Sequence, residues 1–120
     1  MYGPEAVEWL VDASGCTAEL LRCQARLEKL FAEIIADLDL HPVRPALWHA
    51  FPGEAGLSGV LVLSESHLAC HTFPEHRFAA FSLYSCGRRR AWPWMERLRQ
   101  SLGASEVTVR EIRRGTLPRG

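Results

Sequence analysis

The sequence has 120 residues, 48% of them hydrophobic, with fourteen basic and fourteen acidic side chains that balance to a formal charge of zero. That length fits a single domain, 1–120, with a modest core. Balanced charge excludes an electrostatic footprint for nucleic acid or an anionic membrane, no apolar run is long enough to cross a bilayer, and the N-terminus has no signal-peptide pattern, so a cytoplasmic protein is expected.

Residues 7–13 predict a first strand, followed by a turn at Ser14 and Gly15. Thr17 is the N-cap candidate of the next element. Leu20, Cys23, Leu27, Leu30, Phe31, Ile34, Ile35 and Leu38 recur at spacings of three and four, which predicts one amphipathic helix of about five turns covering a sheet. His41-Pro42 and Pro45 end it. Residues 46–51 predict a second strand and 52–56 a turn.

Residues 57–87 concentrate the chemistry. Three short runs, 59–64, 68–73 and 78–85, are separated by Glu65-Ser66-His67 and by Pro74-Glu75-His76-Arg77, connections short enough for an antiparallel meander. Alternation places His67, Ala69, His71 and Phe73 on one face of the middle strand, and Leu68, Cys70 and Thr72 on the other. Phe78, Ala80, Ser82, Tyr84 and Cys86 form one set in the third strand. If His71 and Cys86 face the same side, a histidine base and a thiol converge near the Glu65-Ser66 bond. The same alternation turns Cys70 away from His67 and His71, so no tetrahedral zinc set is visible and no metal is expected. Cys16, Cys23, Cys70 and Cys86 include no CxxC pair, and without a secretory context disulfides are not expected. Cys70 reads as a buried apolar residue.

Arg88, Arg89 and Arg90 precede Trp92-Pro93-Trp94. Three charges are too few for an RNA-stacking surface, so the expectation is a solvated loop with its aromatics tucked into the core. Pro93 suits a helix start, Met95, Leu98 and Leu102 continue it, and Gly103 stops it. Val107, Val109 and Ile112 predict a last strand, and 113–120 a polar, frayed tail. The expected fold is α+β, a two-layer α/β sandwich with a mostly antiparallel sheet and two helices on one face, in the order β-α-β-β-β-β-α-β. Nothing in the chain is left to cover the other face, so a homodimer is expected.

Taken singly, His71 reads as a hydrogen-bonded strand residue and the serines as turn residues. Together they carry a resemblance. Leu57-Ser58-Gly59-Val60, Ser64-Glu65-Ser66-His67, His71-Thr72-Phe73-Pro74-Glu75 and Cys86-Gly87, with Leu10-Val11-Asp12, Gly15-Cys16, His49 and Phe51, resemble the bacterial and archaeal S-adenosylmethionine decarboxylase proenzymes over residues 7–112. The resemblance implies self-cleavage between Glu65 and Ser66 into chains 1–65 and 66–120. Ser66 becomes a pyruvoyl group that forms a Schiff base with a small amino-acid-type substrate, and no metal is involved. It implies His71 as processing base, Ser58 as its assistant, Glu65 as donor of the cleaved carbonyl and Cys86 as proton donor. Phe51 and Phe73 would sandwich adenine and Glu75 would bind the ribose. The activity implied is S-adenosylmethionine decarboxylation, which supplies the aminopropyl donor for spermidine synthesis.

Three positions depart from the family's common pattern: Phe73 stands for Trp, Arg77 for Gly and Ser82 for Asp. The changes at Arg77 and Ser82 leave open a pyruvoyl-dependent ornithine or arginine decarboxylase derived from the same family. A third reading is an uncleaved binding or dimer-partner subunit. Intact Ser58, Glu65, Ser66, His71 and Cys86 argue against it.

Overall fold

The computed structural model describes residues 3–86 and 90–118. Its strands are β1 (Ala6–Ser14), β2 (Leu47–Ala50), β3 (Leu57–Leu63), β4 (Ser66–Phe73), β5 (Phe78–Cys86) and β6 (Glu106–Arg114). The helices are α1 (Ala18–Leu21), α2 (Gln24–Leu38) and α3 (Trp94–Leu102), with a single 3-10 turn at Pro74–His76 between β4 and β5. The six strands form one sheet in the order β2-β3-β4-β5-β1-β6, antiparallel at every pairing. The expected meander is its middle, and β1 inserts between β5 and β6.

Strand alternation sorts the sheet into an apolar and a mixed face. Trp9, Val11 and Ala13 of β1, Leu57, Leu61 and Leu63 of β3, Leu68 and Cys70 of β4, and Ala79, Phe81 and Leu83 of β5 are buried in one cluster. Leu27, Leu30, Phe31, Ile34 and Leu38 of α2 and Trp94, Leu98 and Leu102 of α3 join it, so the helices lie on one face of the sheet as expected. Trp48 of β2 packs flat over Gly59, where a Cβ would stand 2.3 Å from the indole ring, so only glycine fits. Gly103 ends α3 at φ 71, in the left-handed region, as the sequence predicts. Trp92 and Trp94 are buried, which agrees with the aromatics tucked into the core. Arg88, Arg89 and Gly87 lie outside the described residues.

The single helix expected to run from Thr17 to Leu38 is two. Thr17 is extended and its side chain makes no capping bond. The chain breaks after Leu21, because the Leu21 carbonyl accepts from the Thr72 hydroxyl at 2.8 Å on β4 instead of serving the next helical turn. Cys23 is extended and restarts the helix. Arg22, between the two, donates to the Glu54 carbonyl at 2.9 Å. The same Thr72 Oγ1 accepts from the Leu57 amide at 2.9 Å, so one buried hydroxyl ties α1, β3 and β4 together. Among the described residues no helix is long and apolar enough to cross a membrane.

Among the described residues nothing covers the opposite face of the sheet. It carries Leu47, Ser58, Val60, Val62, His67, Ala69, His71, Ser82 and Tyr84, with Leu47 74% and Val62 55% exposed.

Candidate active site

Every site residue suggested by the sequence lies on or beside this uncovered face or at the ends of its strands, in two groups. The first is at the end of β4 nearest the 3-10 turn. Ser58 on β3 stands directly across the ladder from His71 on β4. Its Oγ lies 2.7 Å from His71 Nδ1, which engages one ring nitrogen and leaves Nε2 without a hydrogen-bond partner among the described residues. His49 of β2 is opposite Ser58 on the other side, so His49, Ser58 and His71 form a row across three strands.

One row further on, the Phe51 amide donates to the Gly56 carbonyl at 2.8 Å, and Gly56 lies against Thr72 and Pro74. Phe51 and Phe73, both exposed, therefore flank a residue with no side chain. Two strand spacings separate their backbones by about 10 Å, a slot wide enough for one planar ring between two phenyl faces. The Phe51 ring is steadied by an edge contact with His49 at 4.7 Å. Glu75, in the 3-10 turn after Phe73, is exposed at the same end.

The second group is at the opposite end of β4. Ser64 and Glu65 make the tight turn between β3 and β4, and Glu65 is exposed. Ser66 is the first residue of β4, half-buried and paired with Ser85 of β5. Cys86 lies one step further along β5, half-buried on the uncovered face. His67 stacks on Tyr84 at 5.5 Å beside them.

His71 and Cys86 do face the same side, yet they do not converge. His71 pairs with Ala80 and Ser66 with Ser85, so the two groups are five residues apart along β4, about 16 Å at strand rise. No histidine or serine side chain spans that distance within one chain.

Cys70 has the surroundings the alternation implied. It is fully buried on the helix side, and desolvation pushes its thiol up to about 12. Burial also raises the Cys16 thiol, with the Arg77 charge acting the other way. Arg77 itself adopts a left-handed backbone at φ 54, and its guanidinium donates to the carbonyls of Cys16 at 2.8 Å and Gly15 at 3.4 Å. The cation is tied to the β1–α1 connection rather than presented to the site. Ser82 sits on the uncovered face between Ala69 and Leu10. Sequence reasoning missed the role of Thr72. It lies on the apolar face, where alternation alone asks for a hydrophobe, and that mismatch was the available signal.

Comparison with known proteins shows the family to which the chain belongs. The family model described as S-adenosylmethionine decarboxylase matches residues 7–115. The S-adenosylmethionine decarboxylase proenzyme of Pelotomaculum thermopropionicum is 34% identical over 110 residues, covering 91% of this chain and 86% of that protein. The proenzyme of the same name from Acetivibrio thermocellus is 36% identical over 107 residues, covering 88% and 85%. The crystal structure of the adenosylmethionine decarboxylase from Aquifex aeolicus superimposes with a TM-score of 0.79 over 98% of this chain and 97% of that one, at 21% identity, and so shares the fold. The chain belongs to the S-adenosylmethionine decarboxylase family.

Proposed function

We propose that this protein is a self-processing, pyruvoyl-dependent S-adenosylmethionine decarboxylase that works as a homodimer. The Ser58–His71 hydrogen bond carries the reading: it prepares a histidine on an otherwise unoccupied surface, with one nitrogen held and the other available to move a proton.

The chain's own residues account for processing. Ser66 Oγ attacks the Glu65 carbonyl carbon, which the exposed turn leaves free to pyramidalise. The C–N bond breaks, the nitrogen takes the hydroxyl proton, and Glu65 is left as an ester on the Ser66 side chain. His71 removes the Ser66 α-proton, the Oγ–Cβ bond breaks, and Glu65 departs as the carboxylate end of chain 1–65. Water then replaces the nitrogen at the new N-terminus of chain 66–120, and ammonia is lost.

Processing needs His71 beside Ser66, and one chain holds them about 16 Å apart. A twofold-related copy, its uncovered sheet face packed against the first and running the opposite way, brings the His71 end of each chain to the Ser66 end of the other. Exposed Leu47, Val60 and Val62 supply apolar contact for such a pairing. Each dimer then contains two complete sites.

Ser66, at a strand end beside an exposed turn and next to Cys86, suits conversion to a pyruvoyl group. That group supplies a ketone that holds the substrate's α-amine and accepts the electron pair released as carbon dioxide leaves. Cys86 Sγ–H returns a proton to the substrate's α-carbon. Phe51 and Phe73 stack on the adenine, and the Glu75 carboxylate accepts from the ribose hydroxyls. The product is the aminopropyl donor for spermidine synthesis.

Intact mass of the purified protein tests the reading. Incubation with S-adenosylmethionine, ornithine or arginine, followed by a borohydride reductant, is expected to show chains 1–65 and 66–120, the latter carrying an adduct only with S-adenosylmethionine. One uncut chain without adduct would overturn it.

A further inference from the structure

Among the described residues the Ser85 hydroxyl has no structural partner. Ser85 lies on β5, on the sheet face that packs against the helices, where its neighbours along the strand, Leu83 and Phe81, are core residues. It is 1% exposed, and its Oγ has no hydrogen-bond partner among the described residues. An alanine would fill this position without stranding a polar atom, and buried hydroxyls left unpaired are rare enough in native proteins to need a reason. The strand register supplies one. Ser85 is the residue directly across the β4–β5 ladder from Ser66. Residues paired in this way present their side chains to the same face with Cβ atoms about 5 Å apart. A hydroxyl on each of two such carbons reaches the other by rotation about χ1 alone.

We infer that Ser85 is a positioning residue for self-cleavage: its Oγ accepts a hydrogen bond from the Ser66 hydroxyl and holds Ser66 Oγ in the rotamer that attacks the Glu65 carbonyl. The inference rests on the self-processing reading above and adds a residue to it. Ser66 opens β4 beside the free turn at Glu65, so without a fixed partner its hydroxyl samples several rotamers. Ser85 lies within the sheet and is buried, so its own position is set by the ladder. A partner held by the scaffold is what orients a reacting hydroxyl that is otherwise free to rotate about χ1. Ser85 acts before the ester forms. The later α-proton removal belongs to His71, which reaches the junction from the uncovered face of a second copy, whereas Ser85 approaches from the helix side.

The test follows self-cleavage of freshly made proenzyme, by intact mass and denaturing gel, in wild type, Ser85→Ala and Ser85→Thr. Ser85→Ala is expected to cleave roughly ten- to a hundredfold more slowly, the order lost when a reacting group loses its alignment. Its melting temperature is expected to stay near that of wild type, because every ladder bond is kept and the hydroxyl removed has no partner among the described residues beyond the one proposed in Ser66. Ser85→Thr keeps the hydroxyl and is expected to restore most of the rate. Hydroxylamine, which cuts an accumulated ester, is expected to release little chain from Ser85→Ala, since the block precedes the ester. Ser85→Ala cleaving at the wild-type rate would overturn the inference, as would slow cleavage with a lowered melting temperature and no recovery in Ser85→Thr, or prompt cutting by hydroxylamine. A wild-type proenzyme that never cleaves would refute the self-processing reading itself, so the two failures are distinguishable.

Discussion

The proposed division of the site between two chains has a consequence that can be measured without a structure of the dimer. Ser66→Ala removes the residue proposed to be cut, and His71→Ala removes the proposed processing base. If both residues acted within one chain, a mixture of the two variants would be as inactive as either alone. Ser66 and His71 are five residues apart on β4, about 16 Å, and both are fixed by ladder pairings to β5. A flexing strand does not close that distance, so on the proposed reading each site draws Ser66 and Cys86 from one chain and Ser58, His71, Phe51, Phe73 and Glu75 from the other. In a mixed dimer one site contains both substitutions and the other contains neither. Random pairing of equal amounts makes about half the dimers mixed, so about half of the His71→Ala chains are cut and decarboxylation returns to about one quarter of wild type. The assay is co-expression with distinguishable tags, intact mass for cleavage, and carbon dioxide release from carboxyl-labelled S-adenosylmethionine. Wild-type-like cleavage by His71→Ala alone would refute the reasoning. So would absence of cleavage in a mixture from which mixed dimers are recovered through both tags.

Three other outcomes test the scaffold. Thr72→Val preserves shape but strands the Leu21 carbonyl and the Leu57 amide, and is expected to cost about 3 kcal/mol and about 10 °C in Tm, read by thermal denaturation; an unchanged Tm would show that the break after Leu21 has another cause. The Asp37 carboxyl is held below its ordinary value of 3.8, first by the Trp92 indole N–H and then by Arg97, at 2.9 Å each. A carboxyl lowered in the folded state stabilises it above the ordinary carboxylate range and ceases to do so as pH falls through the lowered value. The Tm deficit of Asp37→Asn is therefore expected to be constant between about pH 7 and pH 5 and to shrink below pH 3.8; a deficit that persists there would mean that shape rather than charge is responsible. Iodoacetamide at pH 8 is expected to modify exposed Cys23 first and half-buried Cys86 more slowly, sparing buried Cys16 and Cys70 until denaturant is added, as peptide mass mapping will report. Early labelling of Cys70 would contradict its burial and its thiol value of about 12.

The extent to which the sequence revealed this molecule follows the range of the forces involved. Alternation is local, and it correctly separated Cys70, buried among leucines, from His71, exposed beside Ser58. Gly103 ends α3 because a left-handed cap needs only its own residue to be permissive. The break between α1 and α2 was hidden because its cause lies 51 residues away, in a Thr72 hydroxyl that competes for the Leu21 carbonyl. Nor does any local pattern place β1 between β5 and β6, since that position depends on long-range pairing. Asp37 illustrates the same limit: it is one acid among fourteen until the fold sets Trp92 and Arg97 against it.

For the site, the resemblance supplied the residues and the register supplied their arrangement. Sharing a face was legible from parity, and it suggested that His71 and Cys86 meet. Parity fixes the side of a sheet but not the position along a strand, and the two residues occupy opposite ends. Their separation gives the uncovered face a purpose that hydrophobic exposure alone does not. A monomer with Leu47, Val60 and Val62 in water has a solubility problem, whereas a monomer that also divides Ser58 and His71 from Ser66 and Cys86 has an incomplete site. Burial of that face in the proposed twofold dimer would resolve both conditions at once and tie maturation to assembly. The proposed dimer thus predicts that a lone chain keeps its Glu65–Ser66 bond and that only a pair cuts it.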